Sequence, residues 1–176
     1  MKINLKDTNS FKPCPDGMFP AVCVDVVDLG LREDTFQGKT KNVHKLRIVW
    51  QVDELDETGK RYIVSKTYNL SGHKKSNLRK DLETWRGRPF STEGLDEFEL
   101  EDLVGVNCQV SVAHRLMPDG ETWTTVQAVV PAAKGAPKMA PKEYVRKKDR
   151  PEEGTTSTSK KSAPVEDEGD GEDVPF

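Results

Sequence analysis

Residues 60–88 combine many cationic side chains with aromatic rings, and this combination gives the clearest indication of function in the body of the sequence. The stretch holds nine Lys and Arg residues against two acids. Tyr62, Tyr68, His73 and Trp85 are interleaved with the charges. Cations follow the phosphates of a nucleic acid while exposed rings stack on its bases, so the mixture predicts a surface that binds single-stranded nucleic acid.

Side-chain alternation separates the groups expected in the core from those expected on this surface. Trp50 shares a strand face with apolar neighbours and Trp85 continues a helical stripe, so both are assigned to the core. The better candidates lie on the opposite, half-exposed face of the Trp50 strand, on one face of the next strand, around the helix, and in a polar connector over residues 30–42. For each of them the alternative is a solvated cation or a core ring. The predicted nucleic-acid-binding residues are Phe36, Lys39, Lys41, Lys45, Arg47, Tyr62, Lys66, Tyr68, Lys74, Lys75 and Arg79.

The sequence contains no pattern typical of a catalytic centre or a metal site. His44, His73 and His114 form no pair with the i, i+4 or C-x₂-C spacing that metal ligands adopt. The acids between residues 25 and 56 lie at strand ends and in a turn, where acids are ordinary. We therefore predict a protein that is not an enzyme and that has no cofactor and no metal.

Cysteine spacing and hydropathy indicate in which cellular compartment the protein is expected. Cys14, Cys23 and Cys108 are odd in number and share no short spacing, which favours reduced thiols over a disulfide framework. No run approaches the ~20 apolar residues that a membrane span needs, and the N-terminus shows no apolar leader. The expectation is a cytoplasmic protein without membrane contact.

Five strands and one main helix are expected to position the candidate surface. The predicted strands span residues 18–29, 43–53, 61–69, 106–114 and 121–130. Leu78, Leu82 and Trp85 mark the helix after the third strand, and a short second helix is predicted over 95–104. The order β-β-β-α-β-β is that of the OB-fold, whose face around strands two and three binds oligonucleotides. We predict a mainly β domain over residues 1–131, a five-stranded OB-fold barrel, with an SH3-like barrel or a small sandwich as alternatives.

The chain beyond residue 131 changes in composition twice. Residues 132–150 combine prolines with seven Lys and Arg residues and are predicted to form an extended basic arm separate from the barrel. Residues 151–176 hold eight acids against two lysines and are too polar to bury a core. They are predicted to be a disordered linker and acidic tail.

The last residues carry the most specific motif in the chain. An acidic run precedes an apolar end, and an exposed terminal aromatic has no role in folding but is a natural anchor for a protein partner. The motif closely resembles the C-terminal peptide of bacterial single-stranded DNA-binding proteins. The resemblance implies that the tail recruits replication and repair proteins, with the terminal Phe in an apolar pocket of the partner. The predicted partner-binding residues are Asp170, Glu172, Asp173, Val174, Pro175 and Phe176.

The body of the chain resembles phage-encoded single-stranded DNA-binding proteins. The resemblance rests on the helical segment over residues 74–90 and on Leu103-Val104-Gly105-Val106, and it covers about a third of the chain. It implies a protein that coats and protects single-stranded DNA without sequence preference during replication, recombination and repair in a bacterial host cell. It leaves a homo-oligomeric state open, because bacterial relatives are typically tetramers while phage versions vary.

Three functions from other classes stand as alternatives. An adaptor or inhibitor would use the acidic tail as a DNA mimic and the barrel to bind protein. A regulator of the cold-shock type would bind RNA. A small metal-dependent nuclease would cleave strands and lose that activity with a chelator.

Overall fold

The computed structural model describes residues 12–151, apart from the side chains of residues 95 and 96. The five strands are β1 Gly17–Phe36, β2 Lys39–Leu55, β3 Arg61–Asn69, β4 Asn107–Leu116 and β5 Thr122–Pro131. The helices are α1 Asn77–Arg86 and α2 Thr92–Asp96, with 3-10 turns at Leu100–Leu103 and Lys147–Asp149. The predicted mainly β class, with five strands and a helix after the third, is confirmed.

All neighbouring strands pair antiparallel, in the order β3-β2-β1-β4-β5. The two edge strands, β3 and β5, contact each other, and α1 lies against both. Within residues 12–151 no ladder of hydrogen bonds joins these edges, so the sheet is curved but not closed. A partly open five-stranded barrel with a helix between strands three and four is the arrangement of the OB-fold.

The core lies between the inner face of the sheet and α1. Leu78, Leu82 and Trp85 are buried, as their helical spacing predicts. Trp85 packs against Trp50 of β2, with ring centroids 6.1 Å apart. Aromatic pairs at this separation contribute beyond the area they bury, so both tryptophans serve folding.

Short-range signals set the ends of α1. The Ser76 Oγ accepts a hydrogen bond from the backbone N–H of Arg79 at 3.1 Å and so caps the first turn. Gly87 follows the last turn with φ of 68°, a left-handed conformation that costs glycine little. Gly87 therefore ends the helix directly after Arg86.

β1 and β2 continue into a long hairpin where the sequence predicts a polar connector. Their ladder runs out to the pair Phe36 and Lys39, and Gln37 and Gly38 form the turn with φ of 49° and 76°. Positive φ at both turn residues matches the twist of the flanking strands. The prediction of a loop over residues 30–42 is therefore wrong, and its candidate residues lie on paired strands.

The predicted second helix over residues 95–104 is also wrong in extent. α2 ends at Asp96, and a separate 3-10 turn begins at Leu100. Between them Phe98 packs its ring edge-on against Phe90, with centroids 5.1 Å apart. The contact is between residues eight apart, which the local helical pattern does not reveal.

The segment over residues 132–150 packs on the barrel instead of forming the separate arm that the sequence predicts. It crosses the outside of the sheet, where Met139 is buried among four valines of β1 and β2. An apolar patch on an outer sheet face needs a cover, and this segment supplies one. We call residues 139–150 the docked arm.

Candidate nucleic-acid interface

The outer face of the sheet, turned away from the core, divides into two halves of different chemistry. The covered half lies under the docked arm and consists of Val22, Val24, Asp25, Val27, Val49 and Gln51. The open half, which continues into the hairpin over residues 31–41, carries Arg47, Ser65 and Thr67. Arg47 and Val49 share a face at i and i+2, so the two halves meet within roughly 7 Å along β2.

A β-bulge places Asp25 on the covered half. The register of β1 against β2 shifts between Cys23 and Asp25, which leaves Val24 as the extra residue. Cys23 packs in the core and Val24 packs on the outer side. Strict alternation would return Asp25 to the core beside Cys23, whereas the bulge turns its carboxylate toward the arm.

Asp25 anchors the docked arm although it is only 1% exposed. Its carboxylate accepts hydrogen bonds from Tyr144 Oη at 3.2 Å, Arg146 Nε at 3.0 Å and the Lys147 backbone N–H at 2.7 Å. Arg146 also donates to Glu101 at 2.9 Å, so its guanidinium lies between two carboxylates. Burial acts to raise the pKa of Asp25, but the three donors outweigh it and hold that pKa below its usual value.

Two amide side chains hold the rest of the docked arm. Gln51 exchanges hydrogen bonds with the backbone of Lys142, donating to its carbonyl at 2.6 Å and accepting from its N–H at 2.9 Å. Asn107 does the same with Met139, at 3.0 and 2.7 Å. Buried polar groups are costly without partners, so these reciprocal pairs fix the path of the backbone.

The open half presents a cation and a hairpin end. Arg47 is exposed, and its Nε lies 3.4 Å from Thr67 Oγ1 of the paired strand. At the tip of the hairpin the Phe36 ring is 43% exposed, with the exposed Lys39 and Lys41 beside it in sequence. An exposed ring flanked by cations suits base stacking combined with phosphate contact.

The structure places three predicted residues of β3 on the inner face. Tyr62 and Tyr68 are core residues, 8% and 3% exposed, and Lys66 lies on the same side. Lys66 Nζ and Tyr68 Oη both bond to Asp81 of α1, at 2.7 and 2.8 Å. Burial, and then the Asp81 charge, raise the pKa of Tyr68. The expectation that these tyrosines are exposed stacking platforms is wrong, because α1 covers their face and supplies the polar partner.

Lys45 and Arg79 have structural partners. Lys45 is 8% exposed and pairs with Asp34 of the hairpin at 3.1 Å, so the face of β2 predicted to be half-exposed is largely covered. Arg79 donates to Glu83 at 2.9 Å, to the Gly72 carbonyl at 3.0 Å and to the Phe90 carbonyl at 3.3 Å. These bonds tie Arg79 to the loops flanking α1.

Lys74 and Lys75 are exposed in the turn before α1. The turn follows Leu70, whose backbone N–H donates to the His44 carbonyl at the base of the hairpin at 2.7 Å. The predicted residues that lie on the open half itself are Phe36, Lys39, Lys41 and Arg47, spread along the hairpin and β2 so that Lys39 and Arg47 are roughly 26 Å apart.

Sequence reasoning missed the residues that attach the arm. Asp25 and Gln51 lie within strands, and Tyr144 lies in a segment predicted to be separate from the barrel. A carboxylate and an amide inside runs of strand-forming residues were the available signal, because buried polar groups need partners from elsewhere.

Residues 12–151 contain no group of three or more His, Cys, Asp or Glu side chains placed to hold a metal ion. No helix in the same range is long and apolar enough to cross a membrane. The predicted partner-binding residues 170–176 lie outside the described residues.

No family model matches the chain, and no curated protein matches it. The fold, the two halves of the outer face and the sequence motifs are therefore the basis of the proposed function.

Proposed function

We propose that the protein binds single-stranded DNA without sequence preference and protects it during replication, recombination or repair. The observation that carries the proposal is the open half, with Arg47 on β2 and Phe36 at the end of the β1–β2 hairpin. In OB-folds oligonucleotides bind to the face of strands two and three, to the loop between strands one and two and to the loop between strands four and five.

The chemistry of the open half favours single strands over duplex. A single strand offers unstacked bases to an exposed ring, whereas the bases of a duplex stay stacked on each other. Arg47, Lys39 and Lys41 would contact phosphates, which carry no sequence information. The expected binding is sensitive to salt and tolerant of sequence.

Fluorescence anisotropy with labelled oligo-dT at two salt concentrations tests the proposal. A duplex of equal length and an RNA oligonucleotide serve as comparisons. We expect tighter binding to the single strand than to the duplex, with affinity falling as salt rises. Tighter binding to duplex would overturn the proposal, and a strong preference for RNA would favour the cold-shock type of regulator.

Recruitment of partner proteins is the second part of the proposed function, and it rests on the sequence of the tail. Deleting residues 166–176 should abolish capture of replication or repair proteins and leave DNA affinity equal or higher, because the acidic run competes with DNA for cations. A loss of DNA affinity on truncation would count against this role. Partner capture by a barrel that binds no oligonucleotide would instead favour the adaptor.

A further inference from the structure

The docked arm presents cations beside the open half. Lys142 and Lys147 are exposed, while their backbones are hydrogen-bonded to Gln51 and Asp25. Lys142 and Lys147 are thus attached through their main chain, and their side chains are left on the outside. A flexible basic tail would not have this geometry.

The strand register gives the distance along β2 between Arg47 and the positions at which the backbones of these two lysines are attached. Asp25 pairs with Val49, and Arg47 lies two residues away on the same face of β2. At about 3.3 Å per residue, Val49, which pairs with the Asp25 that holds Lys147, is roughly 7 Å from Arg47 along β2. Gln51, which holds Lys142, is four residues or roughly 13 Å from Arg47. This spacing is comparable to that between successive phosphates of an extended strand.

Neighbouring side chains continue the positive surface past the arm. Lys142 lines a groove together with Lys60 and Arg61 at the start of β3. Arg61 Nη1 donates to the Ala140 carbonyl at 3.0 Å, which fixes its guanidinium against the arm. Glu143 and Asp53 also line this groove or its rim, so the charge is mixed at that end.

We propose that the docked arm is part of the nucleic-acid interface, with Lys142 and Lys147 extending the phosphate track that begins at Arg47. Asp25 is the positioning residue. Its buried side chain does not contact the nucleic acid, and it holds Lys147 in place through the Lys147 backbone N–H. The inference rests on the proposed function and deepens it. The alternative is an arm that only covers the sheet and must be released before single-stranded DNA can bind.

The double variant Lys142→Ala/Lys147→Ala tests the track directly. Both side chains are exposed, so the fold should be retained. We expect oligo-dT affinity to fall about ten-fold, and the slope of log affinity against log salt to be shallower by about 1.4, because each single-strand phosphate contact contributes about 0.7. The control Lys80→Ala/Lys134→Ala removes the same charge at exposed positions outside the docked arm and should bind within about two-fold of wild type.

The Asp25→Asn variant shows whether the docked arm contacts the nucleic acid or only covers the sheet, because the two cases predict opposite changes in oligo-dT affinity. The variant loses one negative charge, and a released arm would expose more of the sheet, so both effects predict tighter binding if the arm is only a cover. If the arm contacts the nucleic acid, binding weakens several-fold despite the loss of that negative charge. The free energy of unfolding, measured in urea, shows whether each variant is folded under the binding conditions.

The outcomes separate this inference from the proposed function. If wild type binds no oligo-dT, the proposed function fails and the inference fails with it. If wild type binds and Lys142→Ala/Lys147→Ala binds like its control, the inference alone is overturned. Tighter binding by Asp25→Asn would overturn it as well.

Discussion

The covered and open halves of the outer face share β1 and β2, but a later segment of the chain packs over only one of them. In the covered half Val22, Val24 and Val49 are 0%, 2% and 6% exposed, because a segment about ninety to one hundred and twenty residues later in the chain lies over them. In the open half Arg47, one row away, remains exposed. The direction of a side chain on a strand therefore does not establish whether a ligand can reach it; the rest of the chain decides.

Stability should show the largest difference between the halves. Asp25→Ala leaves the Tyr144 hydroxyl and the Lys147 amide without their acceptor and removes one partner of Arg146. We expect the free energy of unfolding to fall by about 2–4 kcal/mol, as for a broken buried polar network.

Arg47→Ala is the matched change in the open half. Its free energy of unfolding should stay within about 0.5 kcal/mol of wild type, as for an ordinary surface substitution. Urea titration of both variants gives the comparison. Equal losses in the two variants would show that the arm is not anchored as described.

Binding should show the reverse difference. Phe36→Ala removes the exposed ring at the hairpin tip and should weaken oligo-dT binding by about 1–3 kcal/mol, the usual worth of one base stacked on an aromatic ring. Its unfolding free energy should be nearly unchanged, because the ring is 43% exposed. Met18→Ala, at an exposed apolar residue near the start of β1, is the control and should bind like wild type.

A pH dependence confined to the covered half is the smallest expected effect. The pKa of Asp25 is lowered in the folded protein, so its ionised form stabilises the fold above the unfolded value of about 3.9. That contribution disappears as pH falls through the folded pKa, with a slope of at most about 1.4 kcal/mol per pH unit.

The stability difference between wild type and Asp25→Asn isolates this effect. It should be largest near pH 7 and shrink below pH about 4, while the other carboxylates, including Glu101, titrate in both proteins and cancel. A difference that stays constant with pH would mean that the charge of Asp25 does not hold the arm.

Local patterns were enough to predict most of the fold. Alternation predicts the strands, and the spacing of Leu78, Leu82 and Trp85 predicts α1 and its buried stripe. The hairpin was missed because its strands are polar, and because Gln37-Gly38 is a weaker turn signal than Asn-Gly or Asp-Gly. Where the periodic pattern is clear, the sequence alone specifies the element.

The candidate site was harder to predict because long-range contacts decide exposure. Lys66 made the inner face of β3 look solvated, and only Asp81 of α1 explains how the lysine and Tyr68 are accommodated there. The arm contacts join residues 32 to 122 positions apart, as between Asn107 and Met139 or Asp25 and Lys147. No local periodicity carries such information.

Hydrogen–deuterium exchange with and without saturating oligo-dT tests the central claim most directly. The account predicts that the strand slows exchange in the hairpin over residues 31–41, in β2 around Arg47 and in the docked arm, while β4 and β5 stay unchanged. Protection confined to β4 and β5, or faster exchange in the docked arm on binding, would contradict it.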